Sequence, residues 1–266
     1  MNGATLAAIA APEPRRRLRD APWFLRLVAG VVLLAVWELV VRAFAPAYVA
    51  KPTGIVRAIG PVLADPQFLA AAGATLWAVA LGLAISIAGG TAVGLLMGRA
   101  RLADAGLRYY VNSLFATPMV TILPLATLWF GYSGDARLAV VVFAAFFSIT
   151  VNVSDGARSV PPEYLEVGRS FRASGWRTIL EIVLPSSLPY LLAGLRLAGG
   201  RALIGAVVAE FFASIPGLGY YILFNSRTFK HDVAFVAVLV LVAAGVGFEV
   251  TLSWLMRRYL PWARRT

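Results

Sequence analysis

Apolar residues run through this chain in long blocks, and polar residues gather between them. The blocks fall near 27–45, 69–98, 111–130, 138–154, 202–222 and 233–256. A helix needs roughly 20 apolar residues to cross the hydrocarbon core of a bilayer. The pattern therefore predicts about six spanning helices. Between the first two blocks, PAYVAKPTGIVRAIG (46–60) breaks the helical pattern at Pro46 and Pro52. It reads as a loop with a short return helix.

The interruptions inside the blocks carry further expectations. Glu38 and Arg42 lie four apart in the first block, the spacing of a local ion pair. The second block carries Gly82, Ser86, Gly90, Gly94 and Gly98. Steps of four rotate about 40° past a full turn, so this stripe winds slowly round its helix. Small residues let helix backbones approach closely in lipid. The stripe fits ordinary bundle packing or a mobile helix interface. The third block, NSLFATPMVTILPLATLWFG (112–131), holds Pro118 and Pro124. Proline frees backbone carbonyls and kinks a helix, and nearby hydroxyls can repair the bonding. Thr117, Thr121 and Thr127 are placed for that, either along a translocation path or at a packing kink.

After the fourth block the chain reads VNVSDGARSVPPEYLEVGRSFRASGWRTILEIVLP (151–185). Asn152, Ser154, Asp155 and Gly156 mark the helix exit, and Pro161-Pro162 starts a new helix at its first turn. Glu163 and Glu166 suit the positive end of that helix. It is expected to run to about Arg172, turn at Ser174-Gly175, and resume from Trp176 to Leu184, with Pro185 and Pro189 as stops. This insert is too polar to span a membrane and too regular for a slack loop. It predicts a helix–turn–helix outside the bilayer. The next long helix is expected from near Pro189. Arg196 and Arg201 should lie low in it and snorkel to the interface. Glu210 lies deeper, where an ionisable group is either functional or matched by an interior partner such as Arg201. SIPGLGYYI (214–222) breaks that helix, and LMRRYLPWARR closes the chain with an aromatic and basic interfacial anchor.

Composition changes this picture little. The 266 residues are 60% hydrophobic and 14% charged, against about 25% charged in soluble domains. The net charge of +11 is sorted by loop and is not a nucleic-acid footprint. Arg15, Arg16, Arg17 and Arg19, then Arg99, Arg101 and Arg108, then Arg158, Arg169, Arg172 and Arg177, then Arg257, Arg258, Arg264 and Arg265 fall on one side. Only Lys51, Arg57, Arg137, Arg227 and Lys230 fall on the other. By the positive-inside rule both termini are expected in the cytoplasm. Residues 1–22 are expected to be a cytoplasmic tail and not a signal peptide, because the arginines follow the short run Leu6–Ala11.

The chemistry of catalysis is sparse. The chain has no cysteine and one histidine, His231, so no thiolate or clustered metal site is expected. Neither lysine sits in a G-x-x-x-x-G-K-[ST] phosphate loop. No ATPase site, cofactor or catalytic residue is expected.

Segment 157–211 resembles the cytoplasmic loop of permease subunits of bacterial ABC importers. In that family the loop runs Glu-Ala-Ala, three residues, Gly, nine residues, Ile, one residue, Leu-Pro. Anchored on Leu184-Pro185, the pattern puts Ile182 at the isoleucine, Glu166 at the glutamate, and Val167 and Gly168 at the alanines. Arg172 falls where the family has glycine, a departure that bears on the geometry of the turn. TPMVTILPLATLWFGYSGDARL, GLRLAGGRALIGAVVAEF and IPGLGYYI are similar to the nitrate, sulfonate and taurine branch of these permeases. The resemblance covers about 25–260.

The resemblance implies an all-α, polytopic fold of the type I ABC importer permease kind, with about six spans and a cytoplasmic coupling helix–turn–helix. It implies one permease domain over 23–266, with the coupling loop at 156–188. It also implies a second permease subunit in a homodimer, two copies of a cytoplasmic ABC ATPase, and an external substrate-binding protein. The residues expected to couple to the ATPase are Glu163, Glu166, Gly168, Phe171, Arg172, Ala173, Ser174, Gly175, Trp176, Ile182, Leu184 and Pro185. Polarity and span position nominate Thr117, Thr121, Ser148, Asn152 and Glu210 for the substrate path. The branch implies a small anion such as nitrate, a sulfonate or taurine, with a thiamine-precursor pyrimidine as the alternative. Two rivals stand beside it: a secondary transporter with Glu38, Glu210 or Glu249 as proton site, and a membrane enzyme.

Overall fold

The computed structural model describes residues 22–46 and 48–259. The tail before Pro22 and the closing Trp262, Arg264 and Arg265 lie outside the described residues. The regular structure is helical throughout the described chain. In order it comprises α1 (Pro22–Phe44), α2 (Pro52–Leu63), α3 (Pro66–Arg99), α4 (Arg101–Ala116), α5 (Leu123–Phe130), α6 (Gly134–Arg158), α7 (Pro162–Ser170), α8 (Gly175–Thr178), α9 (Leu184–Ala213), α10 (Leu218–Arg227) and α11 (His231–Tyr259). A 3₁₀ turn, Met119–Thr121, precedes α5, and a π turn, Ile179–Val183, joins α8 to α9. Five helices are long and apolar enough to cross a membrane, or six if α4 and α5 count as one broken span.

The small-residue stripe decides the packing. Gly82, Gly90, Gly94 and Gly98 of α3 all press on α6. A Cβ added at Gly94 would sit 2.8 Å from both the Thr150 carbonyl oxygen and the Val153 Cβ. Ser86 donates across the same seam to the Val142 carbonyl at 3.3 Å. On the other side of α6, the α9 residues Gly194, Ala198, Ala202, Gly205 and Ala206 are buried. A Cβ at Gly194 would meet Asn152 Cβ at 2.9 Å. Lipid tails are as apolar as the helices, so close van der Waals contact, not water exclusion, holds such a sandwich together. α6 is its central rod: 56% of its apolar window is buried, against none of α1's.

The third span is two helices bent by 95°. The residue before a proline is pushed out of the helical region. Thr117, ahead of Pro118, is accordingly extended at ψ 129°, and α4 ends there. Pro124 then sits in the first turn of α5, where a missing N–H costs nothing. The expected kink is thus a full break.

The prolines of the fifth span behave in the opposite way. The sequence marks Pro185 and Pro189 as stops, but the helix runs through both to Ala213. Pro185 lies in the first turn of α9, just after the π turn. Ser186 and Ser187 hydroxyls donate to the Ile182 and Val183 carbonyls, each at 2.7 Å. Such back-bonding and local π geometry are how spanning helices tolerate proline. The fifth span is therefore Leu184–Ala213 and not 202–222; Ser214, at φ 52°, ends it and α10 starts afresh. Likewise Asn152 and Ser154 lie inside α6, which exits only after Arg158.

Away from the α7–α8 hairpin, α2 folds back onto α11 and α1. Phe68, Ile55, Val62, Leu218, Ile222 and Ala237 form a core there. Glu38 pairs with Arg42 at 2.5 Å and accepts from Thr53 N at 3.0 Å, tying α1 to the start of α2.

Candidate functional site

The hairpin 162–183 is built on a closed seam and presents an open face. Gly168 is buried against Ile182: a Cβ there would lie 3.0 Å from Ile182 Cδ1. Val183 is fully buried with Ala157 and Val160, and Leu165 and Ile182 pack against them. This seam fastens the hairpin to the end of α6. The other side is exposed. Phe171 is 83% exposed and Trp176 70%, with Tyr164, Val167 and Leu180 also exposed. Arg169, Arg172 and Arg177 and the acids Glu163 and Glu166 are exposed in the same hairpin. Exposed aromatics ringed by charge are the usual anchors of protein docking.

The turn explains Arg172. The Ala173 N–H donates to the Gly168 carbonyl at 2.9 Å and the Arg172 N–H to the Arg169 carbonyl at 2.8 Å. This is the Schellman arrangement, whose C′ residue is left-handed and usually glycine. Arg172 occupies it at φ 52°. Ser174 then caps α8, accepting from Arg177 N at 3.3 Å, and Gly175 opens that helix. Ala173 is half-buried between them. Leu184 and Pro185 begin α9 directly after the π turn.

The second polar centre joins four helices, α3, α6, α9 and α10, near the opposite end. Glu210 of α9 has no exposed surface. Its carboxylate accepts from Arg137 Nη1 of α6 at 3.1 Å, from Thr75 Oγ1 of α3 at 2.7 Å, and from Gly219 N at 2.8 Å. Arg137 also donates to the Pro216 carbonyl at 2.7 Å, and Leu218 N donates to Thr75 Oγ1 at 2.8 Å. The partner of Glu210 is therefore Arg137 and not Arg201. Arg201 and Glu210 are nine apart on one helix, a rotation of about 900° that puts them on opposite faces. Gly217 must be small because a Cβ there would overlap the Glu210 carboxylate.

The other path candidates separate into two pairs. Ser148 and Asn152 sit on α6 beside Gly194 of α9, and the Asn152 side chain donates to the Ser148 carbonyl at 2.8 Å. The buried Ser148 hydroxyl finds no hydrogen-bond partner among the described residues. Thr117 and Thr121 flank the break of the third span, donating to the Ser113 carbonyl at 2.9 Å and the Pro118 carbonyl at 2.7 Å. Glu210 lies apart from both, inside its ion-pair network.

Sequence reasoning missed the setting of Arg201. Its guanidinium lies 4.2 Å over the Phe115 ring and donates to the Phe115 carbonyl at 3.4 Å. Its side chain is taken up by Phe115 and not extended toward an end of α9. The missing signal was the start of the helix. Counted from Pro189, Arg201 falls low in the helix; counted from Leu184, where α9 begins, it lies past the midpoint. Arg196, also expected to snorkel, pairs instead with Glu249 at 2.9 Å. All three carboxylates weighed as proton sites, Glu38, Glu210 and Glu249, are thus held by arginines. Among the described residues no acid or histidine cluster could hold a metal.

Comparisons with known proteins point one way. The family model of binding-protein-dependent transport system inner membrane components matches residues 90–265. A formylaminopyrimidine transport permease from Halalkalibacterium halodurans is 31% identical over 88% of this chain and 94% of its own length. A putative aliphatic sulfonates transport permease from Escherichia coli is 30% identical over 96% of each chain. Among solved structures, a chain of a bacterial ABC transporter involved in import of the acidic polysaccharide alginate superposes with a TM-score of 0.63 at 15% identity. That match covers 97% of this chain and 96% of the other.

Proposed function

This chain belongs to the binding-protein-dependent transport system inner membrane components, and from that premise we propose that it forms the membrane path for a small anion of the sulfonate or nitrate kind. It is an ABC importer permease subunit, a multi-pass membrane protein whose energy comes from a separate ATPase. In the proposed assembly two such subunits pair as a homodimer, two ATPases bind on the cytoplasmic side, and an external binding protein delivers the solute. Residues 23–266 act as one unit with both termini cytoplasmic. The loop 156–188 transmits the motion of the ATPase, and its free arm is the hairpin 162–183.

The observation that carries the coupling role is the contrast between the two sides of the hairpin. Gly168, Ile182 and Val183 lock it to α6, while Phe171 and Trp176 stand free. A separate protein with a groove can grip that face, and a push on it passes directly into α6 and α9. Glu166 and the arginines give the rim its charge pattern. Trp176→Ala should weaken ATPase binding by about 2 kcal/mol, or about 30-fold. Glu166→Arg should also weaken it. Both variants should remain folded in the membrane. Co-purification of the ATPase at wild-type levels with both variants would overturn this role.

The anion rests on the aliphatic sulfonates permease and on the resemblance of 117–138 and 194–211 to that branch. The formylaminopyrimidine relative supports the second reading, a neutral pyrimidine. Thr117, Thr121, Ser148 and Asn152 remain the proposed path hydroxyls and amide. Glu210 is proposed as a brace of the path, not a contact in it. A proton-driven transporter is disfavoured because Glu38, Glu210 and Glu249 are ion-paired. ATP-dependent uptake of ethanesulfonate into proteoliposomes containing the ATPase and binding protein tests the whole reading; equal uptake without the ATPase refutes it.

A further inference from the structure

Arg201 sits where an arginine is hard to keep. It lies well inside α9, which spans Leu184–Ala213. About 25 Å of helix separate it from the first end and about 18 Å from the second, at a rise of about 1.5 Å per residue. Its side chain reaches neither end. The neighbouring rod agrees. Gly205 packs against Ala144 and Gly194 against Ser148 and Asn152, so Arg201 lies level with the middle of α6. An ionised side chain at that depth is costly, and such residues face a bundle interior or a water-filled path.

Its partners do not neutralise it. Arg137 has Glu210 and Arg196 has Glu249, but Arg201 has no ion-pair partner among the described residues. It makes one hydrogen bond, at 3.4 Å, to the Phe115 carbonyl, and stacks on the Phe115 ring. Nε and Nη2 have no acceptor among the described residues, yet neither is sealed from the surface. The Phe115 contact comes from the last turn of α4, next to the break at Thr117–Pro118. The guanidinium is thus held in place by its face and one N–H, with the rest of its donor fork unused. The helix surface on either side of it is open, with Leu197 and Ile204 exposed on α9.

We propose that Arg201, held by Phe115 at the break of the third span, is the cationic contact for a small oxoanion in the middle of the membrane path. The chemistry fits. A guanidinium has five N–H donors in a planar fork that matches two oxygens of a sulfonate, nitrate or carboxylate. A fixed positive charge in a low-dielectric passage favours an anion and opposes a cation. The aromatic stack orients the plane without consuming its edge. This inference rests on the importer reading above and deepens it by naming the residue that selects charge.

The test is direct binding to the full chain in lipid nanodiscs, with ethanesulfonate and the neutral formylaminopyrimidine as probes. Ethanesulfonate should bind the wild type saturably. Arg201→Gln should weaken it at least tenfold and Arg201→Lys by less, because the ammonium keeps the charge but loses the fork. Binding of the pyrimidine should not change. No ethanesulfonate binding to the wild type, or equal affinity in Arg201→Gln, overturns the proposal. If Arg201→Gln does not fold, Arg201→Lys decides, and unchanged affinity in it is refuting. ATP-driven uptake is measured separately on the complex. Its failure with binding intact would sink the importer reading and leave the Arg201 site standing.

Discussion

Replacing Arg172 by glycine should make the hairpin more ordered. Arg172 is the C′ residue of α7 and is left-handed at φ 52°. For a residue with a Cβ that conformation costs about 1–2 kcal/mol. Glycine removes this cost but has more freedom to lose on ordering, an offset of about 0.5–1 kcal/mol. The net gain is about 1 kcal/mol, or about fivefold in the closed-to-open ratio of the turn. The reporter is the Ala173 amide, which donates to the Gly168 carbonyl at 2.9 Å only while the turn is closed. Amide exchange of the permease alone, in nanodiscs, should slow about fivefold at Ala173 in Arg172→Gly. Arg172→Ala is the control. It removes the guanidinium but keeps the Cβ, so exchange at Ala173 should stay at the wild-type rate. Unchanged or faster exchange in Arg172→Gly would show that backbone strain at 172 does not limit the turn. Slowing of equal size in Arg172→Ala would assign the effect to the arginine side chain instead.

Two further substitutions test the frame that carries the hairpin. Gly94→Val puts a branched side chain where a Cβ already approaches the Thr150 carbonyl and Val153 to 2.8 Å; overpacking of this kind costs about 1–3 kcal/mol. The thermal midpoint in detergent should fall, while Gly247→Val, with open space around its Cβ, should leave it unchanged. Glu210→Gln strands Arg137 in a buried site, and breaking such a pair costs about 3–5 kcal/mol. The double variant Glu210→Met with Arg137→Met should recover much of that loss, because no charge is left unpaired; a double variant less stable than Glu210→Gln would refute the account.

Much of the hairpin was legible in the chain. Glu163, Phe171, Ser174, Gly175 and Trp176 could be placed on helices and turns from local signals, because capping, turn and proline preferences act over a few residues. The oddity of Arg172 was also visible, as an arginine in a glycine's place. Its cause was not, because a φ angle is a property of the folded turn. The path candidates were less legible. Polarity nominated Glu210, but polarity cannot tell an open carboxylate from one enclosed by Arg137, Thr75 and Gly219.

The sequence by itself determined that this protein crosses the membrane about six times, is all helical and carries a helical arm outside the bilayer. Those properties follow from apolar length, charge sorting and local turn chemistry, which need no knowledge of neighbours. It also held the stripe of Gly82, Ser86, Gly90 and Gly94, but not the identity of the helix that fills it. Only the tertiary structure decided that α6 is that partner, that Pro118 breaks its span while Pro185 and Pro189 do not, and that Arg137 rather than Arg201 answers Glu210. The first and last of these depend on which distant segment is brought into contact, and the prolines on whether nearby hydroxyls repair the freed carbonyls. In a bilayer that pairing is decisive, since no water is present to satisfy a carbonyl or a charge that the fold leaves alone.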